Sequence, residues 1–262
     1  MIKKLGLLAL FLIVFNGLEH FAHKKTDGFS LQRIQFEAPL TQGTTECFSE
    51  LNQPFHYLDC GNQCYVFVSE DGRYVLKFFK YAQPSIPHFL TTIPILNHFK
   101  PFRPHRFEKL RWKQQRDFQG YRLAYDAFRQ ETALIAVHLD PIHHNYPLIT
   151  LIDKLHSPHR LDLNHTPFVL QRKAAPVYQQ LRQWIKSDQI DQAQKGITSL
   201  LNLLKKRMAH HLQDDDAHLH SNFGFIGHEA IQLDPGHFTQ GPSANAELEM
   251  KIITAELLTW CE

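Results

Sequence analysis

The sequence lacks the patterns that identify several common classes of enzyme and binding protein. It contains no HExxH motif and no CxxC pair, so a zinc enzyme or zinc-stabilised fold has little support. It contains no GxSxG motif, which argues against a serine hydrolase. The formal net charge is only +2, and this small excess argues against nucleic acid as the main partner.

Cysteine is scarce and histidine is abundant. Cys60 and Cys64 form a CxxxC spacing without a second pair, which is a weak zinc signal, and we expect buried free thiols. The 18 histidines would raise the net charge below about pH 6.5. With 43% hydrophobic residues in 262 positions, the chain can bury a sizeable core as one two-lobed domain or two small domains.

The N-terminus carries a short apolar run. Lys3 and Lys4 precede apolar residues 5–15, a length that fits a signal-peptide core better than a membrane span. We therefore predict a signal peptide or membrane anchor over 1–22 and a tether over 23–50. The protein would be exported or anchored to the inner membrane. A buried N-terminal helix of the fold is the alternative.

A β-rich region begins near Phe55. Alternating and β-branched runs predict strands over 55–59, 64–68 and 73–79, with a turn at Gly61 and a hairpin at Asp71-Gly72. Lys77 stands in the middle of the third run. It could reach nucleotide phosphates, or it could face solvent on the polar side of the hairpin.

The next region predicts loop and then helix. Residues 81–106 contain five prolines and predict short helical turns and loop. Helical spacing predicts a long amphipathic helix from Arg106 to about Arg129. Glu131 or Asp126, near its end, could pair with Lys77, and the longer reach of glutamate slightly favours Glu131. Either could instead be an ordinary solvated charge.

The remaining elements predict an α+β chain. A hairpin over 148–163 and a strand over 168–174 precede two helices, a short hairpin over 222–234 and a terminal helix. This order places a mainly β lobe over 51–173 and a small, mainly helical lobe over 174–262.

The polar signature with the most chemistry lies near the end. An acidic cluster (Asp214 to Asp216) precedes Asn222, whose neighbours Phe223 and Phe225 would anchor it. Amide and carboxylate oxygens are suitable Mg²⁺ ligands. Asp234 ends an apolar strand at a Pro-Gly turn, and such a carboxylate is costly unless it is paired or bound to metal. The alternative is a turn-forming Asp.

In order and spacing these residues resemble the protein-kinase-like superfamily over about 50–240. RYVLKFFK resembles the strand with the phosphate-binding lysine, FVLQRKA the strand before the hinge, and LDPG the metal-binding turn. The resemblance implies a two-lobed fold with ATP and Mg²⁺ in the interlobe cleft. It assigns nucleotide binding to Lys77, Gly61 and Glu131, metal binding to Asn222 and Asp234, and phosphate transfer to an unknown hydroxyl.

The chain departs from the family pattern in four places. The family's catalytic Asp lies five positions before the metal Asn, whereas Asp216 lies six before Asn222, with Asp214 or Asp215 as substitutes. The His-Arg-Asp triplet is missing. One glycine, Gly61, replaces three. Only residues 237–262 follow Gly236, so the helical lobe would be minimal and atypical.

Two alternatives follow from these departures and from the histidines. The first is a pseudokinase that serves as a binding module or scaffold, which export from the ATP-rich cytosol would also favour. The second is a metal-binding protein that uses histidines such as His210 and His218 with the aspartates. The expected partners are a nucleotide and an unknown protein or small-molecule acceptor, without nucleic acid, and a membrane only through the N-terminal segment.

Overall fold

The computed structural model describes residues 20–35, 39–61, 63–80, 104–216, 218–241 and 243–261, together with Val14 and Gly17. The chain forms two compact units. Unit 1 comprises Met1–Tyr81 and Asp140–Phe168, and unit 2 comprises Ala82–Leu139 and Val169–Glu262. Nearly all of the predicted N-terminal apolar run and most of the proline-rich segment lie outside the described residues. Within the described part, no helix combines the length and the apolar character that a membrane span requires.

The elements follow in chain order. The strands are β1 Thr41–Gln42, β2 Phe55–Cys60, β3 Cys64–Ser69, β4 Tyr74–Phe79, β5 Leu134–His138, β6 Ile142–His143, β7 Leu148–Ile152, β8 Pro158–Asp162, β9 Phe168–Arg172, β10 Ala175–Pro176, β11 Leu212–Asp214, β12 Phe223–Ile226, β13 Glu229–Gln232 and β14 Phe238–Gln240. The helices are α1 Pro104–Ala127, α2 Val177–Lys186, α3 Ile190–Ala209, α4 Leu219–Asn222 and α5 Ser243–Cys261. The chain is thus a mixed α+β protein, consistent with the predicted two-lobed class.

Unit 1 is built on a sheet in which β4, β3, β2, β7 and β8 are neighbours in that order. All of these pairs are antiparallel except β2 with β7, where Phe55 lies opposite Leu151 in a parallel pair. Phe55, Phe67 and Leu151 are fully buried and form part of its core. The β3–β4 hairpin turns at Gly72, whose φ of 71° suits glycine, as the Asp-Gly pair predicts.

Unit 2 combines helices with short strands. α3 packs on β13, α1 packs on β14, and α5 packs on β11 and α3. β10, β12 and β13 form one small antiparallel sheet, and β11 pairs with β14. A Cβ on Gly196 of α3 would stand 2.7 Å from the ring of Trp184, so this glycine allows α2 and α3 to pack closely.

Most predicted elements of these units are confirmed, with four corrections. α1 ends at Ala127, and the residues after it turn and enter strand β5. Part of the expected acidic loop is strand β11, which ends at Asp214. Its partner β14 was not predicted, because three residues of mixed polarity give no periodic signal. In the predicted tether, Ile34 is fully buried.

Candidate functional site

The Asp234 turn is held from two sides within unit 2. Leu233 N donates to Asn222 O at 2.7 Å, which joins this turn to the end of α4. Asp234 Oδ1 accepts hydrogen bonds from Tyr121 Oη at 3.0 Å and Gly236 N at 3.2 Å. Asp234 is nevertheless exposed. The turn therefore fixes one carboxylate oxygen on a residue that stays open to solvent, as a cation ligand requires.

Gly120 allows the turn to pack directly on helix α1. A Cβ at this position would stand 2.5 Å from the carbonyl oxygens of Pro235 and Gly236. Those atoms belong to backbone and cannot rotate away. Gly120 therefore sets the distance between α1 and the turn that carries Asp234, although glycine lowers helix propensity.

Replacing Gly120 by alanine is expected to destabilise the protein by about 1–3 kcal/mol, because the added methyl overpacks against backbone. At an unhindered helical site the same change stabilises a protein by about 1 kcal/mol. The sign of the change in unfolding free energy therefore shows whether Gly120 is packed against the backbone. Denaturant unfolding measures it. Gln119→Ala, on an exposed position of the same helix, is the control and should change stability little. A Gly120→Ala protein more stable than wild type would contradict this packing.

Asn222 lies at the end of the short helix α4 and is buried. Its Nδ2 donates to the backbone oxygen of Asp216, and its Oδ1 accepts from Ser221 Oγ at 2.8 Å. Glu256 of α5 accepts from Leu219 N at 3.1 Å and so fixes the first turn of α4. The expected anchors of Asn222 are both buried: Phe223 is fully enclosed and Phe225 nearly so.

Asp216 is half-exposed and lies between two histidines. Its Oδ1 is 3.3 Å from His218 Nε2, and its Oδ2 is 3.6 Å from His237 Nδ1. The hydrogen bond from Asn222 to the Asp216 backbone carbonyl ties this residue to one of the predicted metal ligands. Of the two aspartates predicted to serve in catalysis, Asp216 is the one that an acceptor hydroxyl can approach.

Asp214 is occupied elsewhere. Its carboxylate is buried, and its Oδ2 accepts from Gln232 Nε2 at 2.8 Å and lies 3.7 Å from Arg207 Nη1. Burial raises the pKa of Asp214, and the Arg207 charge opposes this shift. Arg207 also binds Gln232 Oε1 at 2.7 Å and pairs with Glu249. Asp214 therefore belongs to a buried network that joins α3, β11, β13 and α5, and this geometry does not fit a catalytic base.

Helix α1 contributes four residues that the sequence patterns did not reveal. Asp117 is almost fully buried and pairs with Arg116 at 3.0 Å and with His237 at 3.6 Å. Arg116 also contacts His237 Nε2. Asp117, Gly120 and Tyr121 share one face of α1. The sequence signal that could have identified this face is a small residue between two polar residues at helical spacing.

Burial raises the pKa of Asp117, and the neighbouring charge of Asp234 adds to this shift, while Arg116 and His237 oppose it. The folded protein therefore keeps a proton on Asp117 at pH values where the unfolded chain has lost it. Its contribution to stability is present below the ordinary Asp pKa of 3.8 and is lost as pH rises through the folded pKa.

Asp117→Asn is accordingly expected to gain stability relative to wild type as pH rises above the ordinary Asp pKa of 3.8, since asparagine cannot ionise. Thermal unfolding at a series of pH values measures the difference between the two proteins. Asp126→Asn, exposed on the same helix, is the control for the change from carboxylate to amide. A constant difference between Asp117→Asn and wild type would contradict the ionisation of a buried Asp117.

Glu131 and Asp126 lie elsewhere in unit 2. Glu131 follows α1 in a turn, where its Oε1 is 3.2 Å from Lys206 Nζ and its carbonyl accepts from Gln232 N at 2.9 Å. Asp126 is exposed on α1. Among the described residues, neither the Glu131 nor the Asp126 carboxylate contacts Asp117, Asp216 or Asp234. Pairing of Glu131 with Lys77 remains a prediction.

The two predicted nucleotide-binding residues of unit 1 have contrasting environments. Lys77 lies mid-strand in β4, opposite Val66, and only 8% of it is exposed, so it does not face solvent. Gly61 is exposed, and its N donates to Cys64 O at 3.0 Å. A Cβ on Gly61 would meet only ordinary contacts with Cys64 at 3.8 Å and beyond, so the local backbone does not demand glycine.

The histidines and aspartates of the described ranges do not assemble a cation site by themselves. Within those ranges, no group of three His, Cys, Asp or Glu side chains is placed to hold a metal ion. His210 packs edge-on against Phe128, and His220 lies against Tyr178. A Mg²⁺ site of the kind that uses one or two protein oxygens plus substrate phosphates does not need such a group.

Comparisons with known proteins give weak structural likenesses. Scans against known protein families and curated proteins find no match. The crystal structure of WbdD aligns with a TM-score of 0.42 and 15% identity, over 77% of this chain and 37% of WbdD. The Rv3197–erythromycin complex from Mycobacterium tuberculosis aligns with a TM-score of 0.35 and 16% identity, over 84% of this chain and 51% of Rv3197. Scores this low do not establish a common fold.

Proposed function

We propose that this chain is an atypical kinase-like protein that binds ATP with Mg²⁺ and transfers phosphate to a hydroxyl group. The Asp234 turn carries the proposal: one carboxylate oxygen is held by Tyr121 and Gly236 while the residue stays exposed. A purely structural turn can also contain an aspartate, but it needs no further polar groups beside it. Here Asn222 adds a buried amide and Asp216 adds a second, half-exposed carboxylate.

The residues present fit a magnesium–nucleotide complex. Asp234 Oδ2 and Asn222 Oδ1 would serve as protein ligands, with nucleotide phosphates and water completing the shell. Mg²⁺ would neutralise charge that develops on the transferred phosphoryl group. Asp216 would accept the proton of the attacking hydroxyl, and His218 and His237 hold its carboxylate in place. The role of Lys77 on the phosphates is proposed from the resemblance to kinases.

A pseudokinase is the second candidate, and two observations favour it. Asp214 is locked into a buried network, and Gly61 occupies a site where the backbone does not require glycine. A protein of this kind would bind nucleotide through the Asp234 turn without transferring phosphate.

Asp216→Asn separates these functions. In an active kinase this variant is expected to keep Mg²⁺-dependent ATP binding and to lose about 100-fold or more in ADP release, because the proton acceptor is gone. Calorimetry measures binding, and ADP release is followed with pooled hydroxyl acceptors. Binding without turnover by the wild type would identify a pseudokinase. A folded wild type that binds no ATP would overturn both.

A further inference from the structure

A second chemical grouping lies in unit 1, at the end of strand β2. Lys80 Nζ is 2.9 Å from the sulfur of Cys60 and also donates to the carbonyl oxygen of Gly61. The same ammonium lies 4.6 Å from the centre of the Tyr65 ring. The contacts with Gly61 and Tyr65 therefore hold the amine next to the Cys60 sulfur. Neither Cys60 nor Lys80 is fully buried.

The surroundings of Cys60 favour chemistry at sulfur. The Lys80 ammonium stabilises negative charge that develops on sulfur when the thiol reacts as a nucleophile. The hydroxyl of Tyr57 lies on the same side and binds Asp27, which also pairs with Lys154 at 2.8 Å. Burial raises the pKa of Tyr57, and Asp27 and Cys60 add to this shift, so its hydroxyl remains a neutral donor.

We propose that Cys60 and Lys80 form a redox-dependent sulfur–nitrogen cross-link when the protein meets a peroxide. In the first step the thiol of Cys60 takes one oxygen from hydrogen peroxide, which gives a sulfenic acid and one water. In the second step the Lys80 ammonium gives a proton to the sulfenic oxygen and the resulting free amine attacks the sulfur. The S–O bond breaks, the oxygen leaves as water, and the new S–N link releases one proton to solvent. The sulfur is oxidised and the peroxide is reduced.

The proposal follows from proximity, because sulfenic acids condense with a nitrogen held nearby. Cys47 offers a comparison: it is a free, exposed thiol, but among the residues that the structure describes it makes no such contact with a lysine amine. The link would join the end of β2 to the residue after β4 and span the whole β2–β3–β4 meander. It would therefore protect Cys60 from further oxidation and fix this end of the sheet.

Peptide mapping of the full chain after treatment with hydrogen peroxide tests this. Trypsin does not cut at a modified lysine, so the expected product joins the peptide with Cys60 to one that spans Lys80 and lacks two hydrogen atoms. Dithiothreitol should reverse it. Lys80→Arg keeps the positive charge but offers no attacking amine. In this variant the link is expected to vanish, and dimedone should trap the sulfenic acid at Cys60.

Two further variants exclude competing products. A Cys60–Cys64 disulfide also removes two hydrogen atoms, but it lies within one tryptic peptide and leaves Lys80 unlinked. The link must therefore persist in Cys64→Ser and must still involve Lys80. Cys47→Ser should behave as wild type. Three outcomes would overturn the proposal: a Cys60–Cys64 disulfide, a sulfinic acid at Cys60 that forms equally fast in wild type and Lys80→Arg, or no reaction at Cys60. None of them depends on the nucleotide chemistry of unit 2.

Discussion

Replacing Asp234 by asparagine is expected to lower the proposed Mg²⁺-dependent phosphate transfer by at least about 1,000-fold and to weaken the proposed Mg²⁺-dependent ATP binding. The amide can still accept hydrogen bonds from Tyr121 and Gly236, so the turn should keep its shape. The variant loses only the negative charge of the Asp234 carboxylate. One substitution therefore tests the proposed metal binding while the fold is kept.

The matched control for Asp234→Asn is Asp188→Asn. Asp188 is an exposed carboxylate in the turn between α2 and α3, its positive φ also suits asparagine, and its removal alters the net charge by the same amount. Calorimetric titration with ATP, with and without Mg²⁺, compares the two variants, and circular dichroism checks that both are folded. Equal magnesium dependence in Asp234→Asn and wild type would exclude Asp234 as a ligand.

Replacing Arg207 by methionine is expected to destabilise the protein by about 3–5 kcal/mol. Arg207 is 3% exposed and is the cation that Asp214 and Glu249 share, so its loss leaves buried acids without a counter-charge. Burial lowers the pKa of Arg207 to about 10, while the charge of Asp214 opposes this shift, so the guanidinium stays protonated at neutral pH. Methionine fills much of the same volume and isolates the loss of charge.

Chemical denaturation measures the effect of Arg207→Met. Arg182→Met on the exposed face of α2 is the control and should cost less than about 1 kcal/mol. If Arg207→Met does not fold, Glu249→Gln offers a milder change that removes one charge and keeps a hydrogen-bond acceptor. Wild-type stability in both Arg207→Met and Glu249→Gln would mean that the network contributes nothing.

Local sequence was sufficient for the strands and for one turn of the candidate site. The runs around Lys77 alternate or are rich in β-branched and aromatic residues, and Asp71-Gly72 supplies the turn, so both strands and hairpin follow from near neighbours. Asp234 could be predicted from its neighbours for the same reason, because Pro235 and Gly236 mark the end of an apolar run.

The residues of α1 could not be found in this way. Tyr121 meets Asp234 across 113 positions, and Arg116 meets His237 across 121. Which face of α1 turns towards the Asp234 turn depends on the close approach at Gly120, which periodicity does not encode. Glu131 was favoured for its length, yet its immediate partner in the structure is Lys206.

The route of the chain through the two units has a consequence for synthesis on the ribosome. Strand β2 pairs in parallel with β7, so Phe55 cannot pair with Leu151 until the first segment of unit 2, which lies between them in the sequence, has been synthesised. That segment in turn cannot pack until the residues after 168 have been synthesised. Neither unit can therefore finish folding as its first segment leaves the exit tunnel, and pairing over such separations is slow. Nascent chains that stop before residue 148 lack β7 and should leave one edge of β2 unpaired.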